Sequence, residues 1–115
     1  MKHDYRVLLA KVLTQLGHVR ISEQFIRSEI VGERHYQVEG LAIGHNRVVV
    51  NPVPGTVDTV IHEILHHLRP DWDESTVRRY TSFLMRRITD GELKTIYEAF
   101  KRASIGPSNV YEVED

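Results

Sequence analysis

The sequence predicts an α+β fold, with a small antiparallel sheet, a backing helix ahead of it, and helices joined by a proline-marked break after it. Three observations carry this. Apolar residues recur at helical spacing over roughly 4–16, 57–68, 74–88 and 91–102. The β-rich runs Leu41-Ala42-Ile43 and Arg47-Val48-Val49-Val50 flank the turn formers Gly44-His45-Asn46. Pro52, Pro54 and Pro70 punctuate the chain between these blocks. A chain of 115 residues supports one core, so a single domain is expected over 1–105, with an acidic tail over 106–115.

In the first helix, Val7, Leu8, Val12 and Leu16 give one apolar face, and Gly17 ends it. From His18 to Glu39 two readings compete. Val19/Ile21 and Tyr36/Val38 alternate as strands do, whereas Ser22 to Ile30 also suits a short helix capped by Ser22; strand is the preferred reading. Leu41 to Pro52 reads as a hairpin, and Thr56 as the N-cap of the helix that follows. In that helix Val57, Ile61, Ile64 and Leu68 share the face expected to meet the core. The helix from about Glu74 to Ile88 is expected to bury Val77, Tyr80, Leu84 and Ile88, with Thr81 among them. The last helix, from about Gly91 to Arg102, is expected to start at a capping box of Thr89 and Glu92 and to bury Leu93, Ile96, Tyr97 and Phe100.

Composition excludes several classes of function. A formal net charge of −1 and the absence of a long basic run argue against nucleic-acid binding driven by bulk electrostatics. There is no cysteine, so disulfides and thiolate ligands are excluded, and a reducing, cytoplasmic setting is expected. No apolar run is long enough for a signal core or a membrane span.

The stretch that carries chemistry is His62-Glu63-Ile64-Leu65-His66. On a helix, residues four apart lie on one face one turn apart, where two imidazoles can reach one metal ion. Glu63 lies beside that face, where its carboxylate can hold and deprotonate a water on a zinc ion. A shuffled chain of this composition would contain H-E-x-x-H about once in 28 trials, so composition alone does not exclude coincidence. The apolar residues lying opposite the histidines argue against it.

A catalytic zinc takes three protein ligands, and without cysteine the third is His, Asp or Glu. Glu74 is the leading candidate, because Arg69-Pro70 breaks the helix and lets the next one return with Glu74 at the head of its inward stripe. The same residues fit a second role, since Asp71-x-x-Glu74 matches a capping box. Asp71 and Asp73 are the reserve ligands. His67 points away from His62 on the wheel, but it joins His45, Tyr80 and Arg78 as a candidate for oxyanion stabilisation.

The segment HEILHHLRPDWDESTV resembles the small gluzincin-type metallopeptidases, also called minigluzincins, and related short phage and prokaryotic proteins. That resemblance implies zinc as cofactor, His62, His66 and Glu74 as ligands, Glu63 as base, and a backing helix and small sheet before the metal helix. It covers about residues 4–88 in layout, but its motif residues run only from His62 to Glu74. The spacing to the acid is shorter than in larger gluzincins, and the N-E-x-x-x-D pattern is missing. Arg69 and Trp72 exclude the metzincin continuation.

The expected function is zinc-dependent hydrolysis of a peptide or protein substrate, with no nucleic-acid or membrane partner. A strand edge within 36–50 is expected to receive an extended peptide; the tail is expected to be a frayed, solvated terminus, the alternative being a plug in which Tyr111, Glu112 and Glu114 reach back over the zinc. Two rivals are a zinc-holding regulatory or interaction module without turnover and a metal-free helical interaction protein.

Overall fold

The computed structural model describes residues 5–104. Its elements run α1 (Tyr5–Leu16), β1 (Arg20–Glu23), β2 (Glu29–Val31), β3 (Arg34–Tyr36), β4 (Gly40–Ile43), β5 (Arg47–Val50), α2 (Val53–Leu68), α3 (Glu74–Met85) and α4 (Asp90–Ala103). The α+β class is as expected. None of the described helices is long and apolar enough to cross a membrane. The tail over 106–115, with Tyr111, Glu112 and Glu114, lies outside the described residues.

The main sheet has the order β1-β5-β4, and β2 and β3 form a separate antiparallel hairpin. β4 and β5 pair antiparallel, with Leu41 opposite Val49, as the hairpin reading requires. β1 instead lies parallel to β5, with Ile21 opposite Val48, so the sheet is mixed rather than antiparallel throughout. A parallel pair needs a long connection, and residues 24–46 supply it. The ambiguous Ser22–Ile30 stretch is extended or irregular, not helical. Both hairpins turn on a glycine at positive φ, Gly32 at 63° and Gly44 at 60°, where a Cβ would be strained.

The core lies where α2 and α4 meet beside the end of α3. Val53 and Val57 pack with Met85, Ile88 and Leu93, and Phe25, Ile61, Ile96 and Tyr97 close around them. α4 starts at the expected capping box: the Thr89 hydroxyl accepts from the Glu92 amide, and the Glu92 carboxylate accepts from the Thr89 amide at 2.9 Å. Polar bonds fasten the strands to this helical unit. Asn51, itself buried, donates to the Val38 carbonyl at 2.9 Å and accepts from the Val53 amide at 3.2 Å. His35 and Arg86 exchange bonds across β3 and the end of α3. The Ser28 hydroxyl donates to the Asp90 carboxylate at 2.6 Å.

Besides the sheet, other expectations need correction. Phe100, expected to be buried on α4 with Leu93, is 39 % exposed, because α4 meets the core through its first turns. α1 forms where predicted but backs nothing, because none of its residues is buried; an i, i+4 pattern specifies an apolar face without specifying its cover. Val57 is fully buried, whereas Ile64 and Leu68 on the same expected face are exposed, since α2 meets the core through its earlier turns. In α3 the buried positions are Val77, Thr81 and Met85, leaving Tyr80 and Leu84 exposed. The Thr81 hydroxyl donates to the Val77 carbonyl at 2.8 Å, which lets a polar residue occupy the inward stripe. Thr56 is inside α2 rather than its cap. The helix starts at Val53 after Pro52, and Pro54 is accommodated in the first turn, where amides have no helical partner.

Candidate metal centre

α2 presents His62 and His66 from successive turns of one face, and α3 packs alongside α2. The five residues between the helices form a tight, well-fixed connection. The Arg69 amide donates to the Leu65 carbonyl at 2.8 Å, and the Trp72 amide to the Arg69 carbonyl at 3.0 Å. Asp73 then caps α3, accepting from the Thr76 amide at 2.7 Å. The Trp72 ring stacks on Tyr80 with centroids 4.5 Å apart, and the Arg69 guanidinium lies 4.8 Å from its centre. With Val77 fully buried, this arrangement places Glu74, the first residue of α3, over the two histidines.

Three donor side chains converge there. Glu74 Oε1 lies 2.7 Å from His62 Nε2, and Glu74 Oε2 lies 2.9 Å from His66 Nε2. The two Nε2 atoms are 3.3 Å apart. Ligands about 2.0–2.1 Å from a tetrahedral zinc lie about 3.3 Å from one another, so the histidine pair already has that spacing. The carboxylate sits a few tenths of an ångström closer, as hydrogen bonding to the imidazoles requires. All three donor atoms fall within 4.8 Å of one another. Exposure rises across the set, from 15 % for the His62 side chain through 32 % for His66 to 57 % for Glu74, so the cluster opens to solvent on the Glu74 side.

The charge environment favours an ionised Glu74. Desolvation is the largest single influence and acts upward, but it is outweighed by the hydrogen bond with His66, the charges of His62 and His66, and the hydrogen bond with His62. The carboxyl is held below its ordinary value. Arg78, one turn along α3, adds a long contact at 3.4 Å to Glu74 Oε1.

The structure thus brings His62, His66 and Glu74 together and assigns the reserve acids elsewhere. Asp73 is the helix cap, and Asp71 pairs with Arg69 at 3.4 Å. Hydrogen bonds hold the carboxyls of both below their usual range, with Arg69 the main partner for Asp71 and Thr76 for Asp73. The Asp71–Glu74 capping box does not form, because the helix begins one residue after Asp73. Glu63 follows His62 on α2, exposed, and no hydrogen bond or ion pair with another described residue engages its carboxylate. Of the oxyanion candidates, Arg78 touches the cluster, Tyr80 is committed to Trp72, and His45 and His67 are exposed outside it.

The sequence reading did not find Asp73 as cap or the Trp72–Tyr80 stack. Asp73-x-x-Thr76 was a legible capping signal, whereas nothing local links Trp72 to a ring eight residues on. No family model, curated protein or solved structure matches this chain.

Proposed function

We propose that the chain is a zinc-dependent peptidase of minimal gluzincin type, with His62, His66 and Glu74 holding the ion and Glu63 acting as general base. The observation that carries this is the convergence of two Nε2 atoms and one carboxylate within 4.8 Å. Two neutral nitrogen donors and one anionic oxygen form the borderline donor set that suits zinc, and they leave a fourth position for substrate or water. When bound, the ion supplies a Lewis acid that polarises a carbonyl and acidifies water. The work of the chain is then positional. Glu63, uncommitted among the described residues, takes a proton from the attacking water and returns it to the departing amine nitrogen. Arg78, beside the cluster, is placed to counter negative charge developing at the substrate. β4, an edge strand, offers free backbone groups for an extended peptide. The cytoplasm suits a chain that contains no cysteine.

A second reading, a zinc-holding module without turnover, is favoured by one feature. An apolar cavity of about 820 Å³ lies between α2 and α4 and includes none of the three ligands. One experiment separates the two. Wild-type protein and Glu63→Gln are prepared with zinc supplied, and both metal content and cleavage of a mixed peptide library are measured. The peptidase reading expects about one equivalent of zinc in both, with cleavage reduced at least 100-fold in the variant. Zinc-loaded wild type that cleaves nothing supports the module, and wild type that binds no zinc overturns both readings.

A further inference from the structure

Among the described residues, two apolar surfaces lack a partner. The first is α1, where Leu8, Leu9, Val12, Leu13 and Leu16 fall within an arc of about 140° on the helical wheel. Arg6, Lys11, Thr14 and Gln15 occupy the other side, and Val7, which the sequence pattern grouped with Leu8, Val12 and Leu16, falls among them. The five apolar residues are between 47 and 60 % exposed, and the helix has no substantial packing against any other element. A helix of 12 residues is marginal on its own in water and needs a surface to cover its apolar face.

The second surface is the groove between α2 and α4. Ile64, Leu65 and Leu68 form one wall, Ile96 and Phe100 the other, and Leu84 closes one side; its volume is about 820 Å³. Ile64 and Leu68 are 52 and 67 % exposed. Isolated exposed apolar residues need no explanation, whereas a contiguous lined trough of this size marks an interaction site. Its shape suits a helix. α1 is about 18 Å long, and α4, which forms one wall, is about 21 Å long. A third helix laid between two others buries its apolar arc by ridge-into-groove packing.

We propose that α1 of one copy lies in the α2–α4 groove of a second copy, and that the contact is reciprocal. Because each copy carries one helix and one groove, a two-fold axis satisfies both surfaces at once and leaves none open for further growth. The two contacts together remove on the order of 1,500 Å² from solvent, within the standard size of a specific protein interface. On α2, Ile64 and Leu68 lie roughly opposite His62 and His66, with Leu65 on the flank, so the dimer leaves the metal face open.

The test uses the full chain. Wild type, Leu13→Glu and Leu68→Glu are examined by size exclusion with light scattering at about 100 µM chain, where a dissociation constant of about 1 µM or tighter leaves mostly dimer. Both substituted residues are exposed within the protomer, so neither change touches its core. Wild type is expected at twice the chain mass of 13.4 kDa, and each variant at the monomer mass. An equimolar mixture of the two variants should regain a dimer peak, because one intact helix can still meet one intact groove. A monomeric wild type overturns the proposal. So does a Leu68→Glu variant that remains fully dimeric, which would place the contact between two α1 helices. As a second arm, Leu13→Cys and Leu68→Cys are mixed and treated with a bismaleimide; the chain has no other thiol, so a mixed cross-linked dimer reports the pairing directly. In a third preparation each chain carries both Leu13→Cys and Leu68→Cys; if cross-linking there stays within single chains while the mixed single variants do not cross-link, α1 covers its own groove and the proposal fails.

Discussion

Replacing Glu74 by glutamine separates ligation from every structural role this residue could have. The change keeps the side chain's size and one carbonyl oxygen, but it removes the negative charge that faces both Nε2 atoms at 2.7 and 2.9 Å. Disturbing residues that only orient a metal ligand costs about 10–100-fold in affinity, so losing an anionic ligand outright should weaken zinc binding by more than about 100-fold. Glu74 is the first residue of α3, and the cap is Asp73, so the helix keeps its start and the apo protein should melt within a degree or two of wild type. Asp73→Ala is the opposite case. It removes the bond to the Thr76 amide, at 2.7 Å, and should lower the melting temperature by about 5 °C while weakening zinc far less than Glu74→Gln does. Asp71→Asn, at a residue that pairs with Arg69 on the surface, should alter neither.

The assay is competitive zinc titration against a chromophoric chelator, run beside thermal melts of the metal-free proteins. Glu74→Gln binding zinc within threefold of wild type would refute the ligand assignment. Loss of zinc from Asp71→Asn, with Glu74→Gln intact, would transfer the assignment to Asp71.

Two further predictions concern the scaffold. The Glu92 carboxyl is held below the usual glutamate range, mainly by its backbone hydrogen bond from Thr89 and then by the Thr89 hydroxyl. A carboxyl depressed in the folded state adds stability that is complete above its unfolded pKa and is lost as pH falls through the folded value. Urea denaturation from pH 7 down to pH 3 should therefore show a stability loss below about pH 4.5 that is smaller in Glu92→Gln, and superimposable profiles would remove Glu92 from the cap. Leu93 is fully buried at the contact between α2 and α4, so Leu93→Ala should cost about 2–5 kcal/mol, read as a lower urea midpoint at unchanged slope. A loss below about 1 kcal/mol would mean that Leu93 is not central to the core.

The parts of this molecule that were legible in its sequence are those fixed by neighbours in the chain. His62 and His66 share a face because they are four residues apart, and Thr89 and Glu92 cap α4 because they are three apart. The β4–β5 pairing followed from turn formers between two β-rich runs. Longer-range choices were less accessible. Alternation marks Ile21 as part of a strand but does not reveal that its neighbour is Val48, or that the two strands run parallel. Asp71-x-x-Glu74 and Asp73-x-x-Thr76 are both valid capping patterns, and only the point where the chain re-enters helical geometry selects Asp73 and releases Glu74 toward the histidines. Thr81 read as a minor member of its stripe because its inward position depends on satisfying its hydroxyl within the same helix.

The same distinction bears on how the centre is built. Its three donors lie within residues 62–74, and one helix, one five-residue connection and one cap bring them together. The sheet contributes no donor, so changes in β1 or β4 should leave the metal centre intact and alter only what can approach it. On the proposed peptidase reading, selectivity and metal retention are therefore physically separable. A substitution at Leu41 on the edge strand β4 that altered peptide preference while zinc affinity stayed constant would be the direct expression of that separation.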